Sequence, residues 1–592
     1  MTYTAKAADW KEWFQAPQLK FYSIAKNNPS VGLVASTESG TVQWYAWDPT
    51  NPQAEKAQIT DTPGGHATPL FLSADGRFAY TLQDHKGNEI GHFVRLSVDN
   101  PNAPVEDITP NLPPFSAFGI NAFSGTGKIG FVAVYDNTFH LITLDELADG
   151  ALPEPQELVS SKATLMNVQF SADGETVFVM TNQRSKSIAT SLHAYDAATG
   201  EFIAELWDGE GTNIAGLHPS PVKGDGRILC TTNRAGPETC LLWNPHTGER
   251  EDLIFEGITN PLIPSDWGCS GQKILLACMD QAAEKSYVYD LETKQLTQLS
   301  IEPGTYSMSK FDRESEDVVS LWQNATRPGT VVKLDGETGK LKQALLSAGE
   351  IPPGRSWQSI TFQSANGQTI QGWLGLPEGE GPFPTILETH GGPTAVKTNT
   401  FSAESQTWMA HGFAFLSINY QGSTTFGREF QDSIYGNLGE LEVQDMVAAR
   451  QWLIDQGIAH PDKVIPFGGS YGGYLTLMAL GTEPDLWAGG IAFVAIADWS
   501  IQYEDTAETL RAYQVSLFRG TPDEKPEQYA KSSPITYAEQ VKAPIMIMQG
   551  KNDTRTPARP IAIYEKKLKS LGKHVELHWF ETGHAGSRAD IS

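Results

Sequence analysis

The sequence predicts two domains in series: a seven-bladed β-propeller over residues 21–350, then a doubly wound, mainly parallel α/β sheet over residues 351–592. Residues 1–20 form an N-terminal segment with helical character, expected to rest on the second domain. Three observations carry this. A turn-then-strand marker recurs through the first half at near-constant spacing. Helical periodicity is almost absent there. The second half alternates apolar strands with long helical stretches.

The marker is a small polar residue, an Asp-Gly or equivalent turn, and an apolar strand. A degenerate first copy is "NNPSVGLVAS" near Pro29; clear copies are "SADGRFAY" at Asp75-Gly76 and "SADGETVFV" at Asp173-Gly174. Weaker ones are "SGTGKIGFV" near Gly127, "KGDGRILC" at Asp225-Gly226, "CSGQKILLA" near Gly271 and "ESEDVVSLW" near Glu316. The seven copies lie 45 to 52 residues apart, a spacing typical of propeller blades with one hairpin turn in each unit. A single blade cannot bury both of its faces, so the units are expected to stack radially around a channel.

The grammar changes after "GEIPPGRSW", which places the boundary near Ile351–Arg355. "FPTILETHGG" and "FAFLSINY" read as strands and "GELEVQDMVAARQWLIDQG" as a helix. "KVIPFGGS" is a strand, "YLTLMAL" a helix and "WAGGIAFVAI" a strand; "APIMIMQG", "RPIAIYEKKLKSLG" and "HVELHWF" close the chain as strand, helix, strand. Strands joined by crossover helices imply a parallel sheet covered on both faces.

Composition narrows the functional classes. Among 592 residues, acidic side chains outnumber basic ones 70 to 43, for a formal charge of −27. Such a surface repels phosphate backbones and anionic lipid, so neither nucleic acid nor membrane is expected as a partner. The N-terminus lacks a basic stretch followed by an apolar one, and Cys230, Cys240, Cys269 and Cys278 fit no metal spacing. Free thiols in a reducing cytoplasm are therefore expected. No HExxH, CxxC or phosphate-binding loop is present, so neither metal nor organic cofactor is called for.

"FGGSYGGYLT" sets one serine between two pairs of glycines, after a strand and before a helix. Gly468-Gly469-Ser470-Tyr471-Gly472 fits the nucleophile-elbow pattern G-x-S-x-G, which identifies the second half as an α/β-hydrolase domain. The bend is so tight that positions two before and two after the serine must lack side chains. It thrusts the Ser470 hydroxyl outward and sets the Tyr471 N–H at a helix start, facing developing negative charge.

A serine needs a base, and in this fold the chain order is serine, acid, histidine. His390, His411 and His460 precede Ser470; His574 and His578 fall in the last strand, their backbones tied into the sheet. His584, in the glycine-flanked "ETGHAGS", is the base by position and order. Asp553, in "APIMIMQGKNDTRTP", follows a strand and would hold the His584 ring in its useful tautomer. Asp498 is the rival, one strand earlier. "HGGP" at His390–Pro393 offers unobstructed N–H groups, so Gly391 or Gly392 is the second oxyanion donor beside Tyr471.

With these residues placed, the chain resembles the prolyl oligopeptidase family of serine peptidases. "HGGP", "NYQGSTTFGREF", "GGSYGGY" and "DTRTP" are most similar to its acylaminoacyl-peptidase and bacterial dipeptidyl-aminopeptidase branch. The resemblance implies Ser470, Asp553 and His584 as nucleophile, acid and base. It adds Arg555 as a ligand of the substrate's P2 carbonyl, with Trp499 and Tyr503 lining the P1 pocket. It also implies a propeller that caps the site and admits only short or unstructured peptides, with dipeptide-removing relatives gripping the free amine through propeller carboxylates. Three departures stand out: Gln421 in place of arginine, Gln549 in place of histidine, and only eight residues after His584, where the family pattern continues into a closing helix.

The leading reading is a serine exopeptidase acting on short peptides through an acyl-enzyme on Ser470, with self-association into a homo-oligomer allowed for. The alternatives are an esterase or amidase for small acylated metabolites, and a propeller binding protein with a vestigial hydrolase domain. A propeller is superfluous for the former, and a complete Ser470, Asp553 and His584 set argues against the latter.

Overall fold

A computed structural model of the chain describes residues 10–66, 68–146, 151, 153–185, 189–236, 238–258 and 260–584. From Leu19 to Ser347 the chain forms antiparallel sheets built of four-stranded groups, the architecture of a β-propeller. Five groups stand alone. Two more, the first and the last along the chain, join in one eight-stranded sheet through the pairing of Leu19 with Gly329.

The sequence markers fall at the turn between the first and second strands of each group. Gly76, Gly127, Gly174 and Gly271 take left-handed φ of 83°, 86°, 75° and 73° there, and Glu316 takes 55° in glycine's place. In the fifth group the left-handed residue is Gly224, and the Asp225 carboxylate accepts from Ser220 Oγ (2.7 Å) and the Arg227 amide (3.1 Å). Apolar clusters span neighbouring groups: Val132 and Leu141 meet Val168 and Val177, and Phe178 and Leu192 meet Ile228 and Leu241. Each group thus buries its faces against its neighbours, which is the reason units of this kind stack.

The remainder is one eight-stranded sheet: β1 (Trp357–Gln363), β2 (Thr369–Gly375), β3 (Phe383–Thr389), β4 (Ala414–Asn419), β5 (Ala459–Gly469), β6 (Gly490–Phe493), β7 (Ile545–Gly550) and β8 (Val575–Phe580). Their spatial order is β1-β2-β4-β3-β5-β6-β7-β8, antiparallel through β4 and parallel beyond it. The helix Tyr471–Thr482 is buried along nearly its whole length, as expected of a helix apolar on every face. It packs in the core with Ile547, Ile561 and Tyr564.

Helix Lys11–Gln15 sets Trp13 against Phe401 of the C-terminal sheet domain. Asn399 ties the two halves together: its carbonyl accepts from Thr305 Oγ1 (3.1 Å) and its Oδ1 from the Ala325 amide (2.8 Å). Among the described residues no helix is long and apolar enough to cross a membrane. The four cysteines are free thiols, and burial pushes Cys230 and Cys240 well up from the ordinary range.

Candidate active site

The candidate site residues follow the carboxyl ends of three parallel strands, β5, β7 and β8, the end at which open α/β sheets place their ligands. Ser470 directly follows β5 and caps the helix Tyr471–Thr482 with φ 57° and ψ −119°, a conformation costly for a residue with a Cβ. Its amide donates to the Phe493 carbonyl at the end of β6 (2.9 Å), and its carbonyl accepts from the Tyr474 amide (3.0 Å). A Cβ on Gly468 would lie 2.6 Å from the Gly472 carbonyl oxygen, and one on Gly472 would lie 2.0 Å from the Thr389 oxygen. The bend therefore closes only with glycine on both sides of Ser470. Tyr471 opens the helix, so its amide is among the first-turn donors with no intrahelical acceptor.

Asp553 lies three residues past β7, in a tight turn that saturates its carboxylate. Oδ1 accepts from the amides of Arg555 and Thr556, both at 2.8 Å; Oδ2 accepts from Thr556 Oγ1 at 2.7 Å. His584, four residues past β8, completes the set with Nδ1 at 2.9 Å from Asp553 Oδ2. The Asp553 side chain is wholly buried, whereas the His584 ring keeps 18% exposure. An ionised carboxylate is acceptor-only, so it selects the Nδ1–H tautomer and leaves Nε2 with a free lone pair.

The other sequence candidates settle elsewhere. Asp498 is a helix N-cap, accepting from the Ser500 and Ile501 amides at 2.9 and 3.1 Å. The His390 ring stacks on Tyr420 with centroids 4.4 Å apart, bonds Ser423 Oγ through Nε2 (2.9 Å), and is lowered to about 4 by burial. It is a neutral strut beneath the HGGP turn. In that turn a Cβ on Gly391 would come 3.4 Å from Ser470 Cβ, while one on Gly392 would meet Thr394 and Ala395. Gly391 is thus the glycine beside the serine. Trp499 is buried against Tyr471, Tyr474 and Phe518, in the core behind the elbow; Tyr503 is half-buried with the Arg511 guanidinium over its ring.

Two acids emerge that sequence reasoning left unassigned. Glu442 is fully buried and takes the Tyr471 hydroxyl at 2.6 Å and the Gly439 amide at 3.0 Å. Burial raises its carboxyl to about 7, opposed by the Tyr471 hydrogen bond. Glu89 sits on a propeller hairpin and forms a forked pair with Arg555, at 2.6 Å to Nη2 and 3.1 Å to Nε. That bond raises the Arg555 guanidinium above its ordinary value. The same hairpin presses on the histidine loop: a Cβ on Gly87 would lie 2.9 Å from the Gly583 amide nitrogen. The one sequence signal for Glu89 was its place in a Gly-Asn hairpin turn, "DHKGNE"; nothing in one dimension pairs it with "DTRTP".

Gln421, where the family pattern has arginine, still serves a carboxylate. Its amide and Nε2 donate to buried Asp445 at 2.7 and 2.9 Å, with Ser364 Oγ as a third donor. Gln549 donates to the Thr556 carbonyl at 2.7 Å and so braces the Asp553 turn.

Known proteins resemble the chain in sequence and in fold. Residues 399–591 match the Prolyl oligopeptidase family. Dipeptidyl aminopeptidase BIII of Pseudoxanthomonas mexicana is 26% identical over 571 residues, covering 92% of this chain and 80% of that enzyme. A puromycin-hydrolyzing peptidase of Mycobacterium tuberculosis superposes with a TM-score of 0.82 at 19% identity, over 100% of this chain and 94% of that one. The acylaminoacyl peptidase of Pyrococcus horikoshii gives 0.71 at 18% identity, over 98% and 95%. The resemblance read from the motifs is borne out: residues 399–591 carry the pattern of the prolyl oligopeptidase family, and the chain's sequence relatives include a dipeptidyl aminopeptidase and acylamino-acid-releasing enzymes.

Proposed function

We propose that the chain is a serine exopeptidase that removes residues from the free amino end of short peptides, with Ser470, Asp553 and His584 as its triad. The observation that carries this reading is the 2.9 Å His584–Asp553 contact, on the same sheet edge as a strained, glycine-flanked serine. His584 Nε2 takes the Ser470 proton as Oγ attacks the scissile carbonyl, and Asp553 stabilises the imidazolium. The Tyr471 and Gly391 amides receive the negative charge on the carbonyl oxygen. His584 then passes the proton to the leaving amine. Water, deprotonated by the same ring, releases the acyl group from Ser470.

Glu89 and Arg555 divide recognition of the acyl side. Arg555 offers donors to the P2 carbonyl, while Glu89 is the propeller carboxylate suited to a substrate ammonium. An esterase has no use for such a pair; an enzyme of N-acylated peptides would use Arg555 without Glu89. We read the four-stranded groups as seven blades capping this site, with the domain boundary within residues 351–355, and we take the setting to be a reducing cytoplasm.

The test is hydrolysis of paired p-nitroanilides, Ala-Ala against N-acetyl-Ala, with Ser470→Ala as the blank. Faster turnover of the free-amine substrate is expected. Preference for the acetylated one would transfer the enzyme to the acylaminoacyl class. No turnover of either by a folded protein would leave the propeller as a binding module.

A further inference from the structure

Three neighbouring strands reach the candidate site in register, with Gly469 of β5, Phe493 of β6 and Met548 of β7 side by side. One step beyond, two backbone bonds end the ladder. The Ser470 amide donates to the Phe493 carbonyl (2.9 Å), and the Val494 amide donates to the Met548 carbonyl (2.8 Å). The Phe493 carbonyl and the Val494 amide belong to one planar peptide group. A single rigid unit therefore spans the gap between the serine elbow and the strand that leads to the acid. From there Gln549 Nε2 donates to the Thr556 carbonyl (2.7 Å), and the Thr556 amide donates to Asp553 Oδ1 (2.8 Å).

Val494 makes this link under strain. Its φ is 38°, short even of the left-handed well at roughly 50–70°. A side chain branched at Cβ is the worst suited to that region. Among the described residues Val494 is the one aliphatic β-branched residue with positive φ, and it has no polar side-chain atom to offset the cost. Such a conformation persists only where its surroundings over-determine it.

Here they do. Val494 is 8% exposed, and Ala495, Ile496 and Ala497 after it are buried. A Cβ on Gly473, in the first turn of the elbow helix, would lie 2.7 Å from the Phe493 carbonyl oxygen and 3.0 Å from Ala495 Cβ, so the helix presses on the segment from the serine side. Farther on, the Ala497 carbonyl accepts from the Ile535 amide (3.0 Å), and Asp498 is fixed as a helix cap. With residues 495–497 held in the core, an ordinary φ at Val494 would be reached only by rotating the 493–494 peptide plane. That rotation would break both of its bonds.

We propose that Val494 is a positioning residue for the acyl-transfer chemistry: its strained, stiff backbone locks the 493–494 peptide plane and so sets Ser470 at its spacing from Asp553 and His584. The inference rests on the triad reading above. Glycine would sit at this φ without strain, but it would also leave the link free to adopt other conformations. Reacting groups misplaced by about 1 Å lose on the order of 100-fold in rate.

The test compares Val494→Gly with Val494→Ala in the full chain, since both variants lose the same two methyl groups. The readouts are melting temperature, kcat and KM on Ala-Ala p-nitroanilide, and the rate of labelling by a fluorophosphonate. Glycine ordinarily melts below alanine, but not where φ is positive. Val494→Gly should therefore melt at or above Val494→Ala. Its kcat should nevertheless fall about tenfold or more below that of Val494→Ala, at a KM within about twofold, with labelling slowed in step. A residue that only supported the fold would lower kcat together with melting temperature. Val494→Gly melting below Val494→Ala would remove the strain, and equal kcat in the two variants would remove the positioning role; either result overturns the inference and leaves the triad standing. A parent that is neither labelled nor active would instead refute the triad reading, and this inference with it.

Discussion

Replacing Glu89 by Gln separates the contributions of the Glu89–Arg555 pair to stability and to recognition. Both side chains are about half exposed, at 44% and 51%, so the pair belongs with surface ion pairs. Such pairs contribute roughly 0.2–1 kcal/mol, so the variant should melt within a few degrees of the parent. Recognition is a larger quantity. A hydrogen bond between a substrate ammonium and a carboxylate contributes about 1.5–3 kcal/mol, or roughly 10- to 150-fold in kcat/KM. Because Glu89 already shares its charge with Arg555, the loss should fall near the lower limit, about tenfold. The variant frees Arg555 for the P2 carbonyl, so the acetylated substrate should lose nothing. The assay is kcat/KM for Ala-Ala and N-acetyl-Ala p-nitroanilides, parent against Glu89→Gln. Equal losses on both substrates would refute the amine role and leave Glu89 as an interdomain strut.

Ser470→Ala should abolish labelling by a fluorophosphonate probe with little change in melting temperature; persistent labelling would refute the nucleophile. Arg555→Ala should lower kcat/KM on peptides far more than on simple p-nitrophenyl esters, which lack a P2 carbonyl, and equal losses would make it structural. Gly472→Ala, whose Cβ would sit 2.0 Å from the Thr389 oxygen, should cost about 3 kcal/mol or more, whereas Gly469→Ala meets only Phe493 Cβ at 3.7 Å and should cost about 1 kcal/mol or less; similar urea midpoints for the two would contradict the elbow geometry. Burial raises Glu442 from 4.5 to about 7, so the folded state holds its proton more tightly than the unfolded chain. Its contribution is present in full below about pH 4.5, falls as pH rises to about 7, and is flat above, a loss of about 3 kcal/mol. Melting temperatures from pH 5 to 8 should therefore decline, and less steeply in Glu442→Gln; an identical slope in the variant would exclude Glu442 as the cause.

Local chemistry made much of this protein legible in one dimension. Turn residues at a repeating interval announce units that cannot bury themselves, and Gly76, Gly127, Gly174 and Gly271 do occupy left-handed turns. Strand–helix alternation dictates a parallel sheet, because a parallel pair needs a crossover. The elbow is equally local: its glycines are required by contacts within a few residues and by the neighbouring β3 strand. Chain order was enough to nominate Asp553 and His584, since each parallel strand delivers its following loop to the same edge. What the sequence could not determine arises between segments far apart along the chain. Glu89 and Arg555 are 466 residues apart, and only domain docking makes them a pair. Glu442 beneath Tyr471 and Trp499 turned into the core each depend on packing against another element.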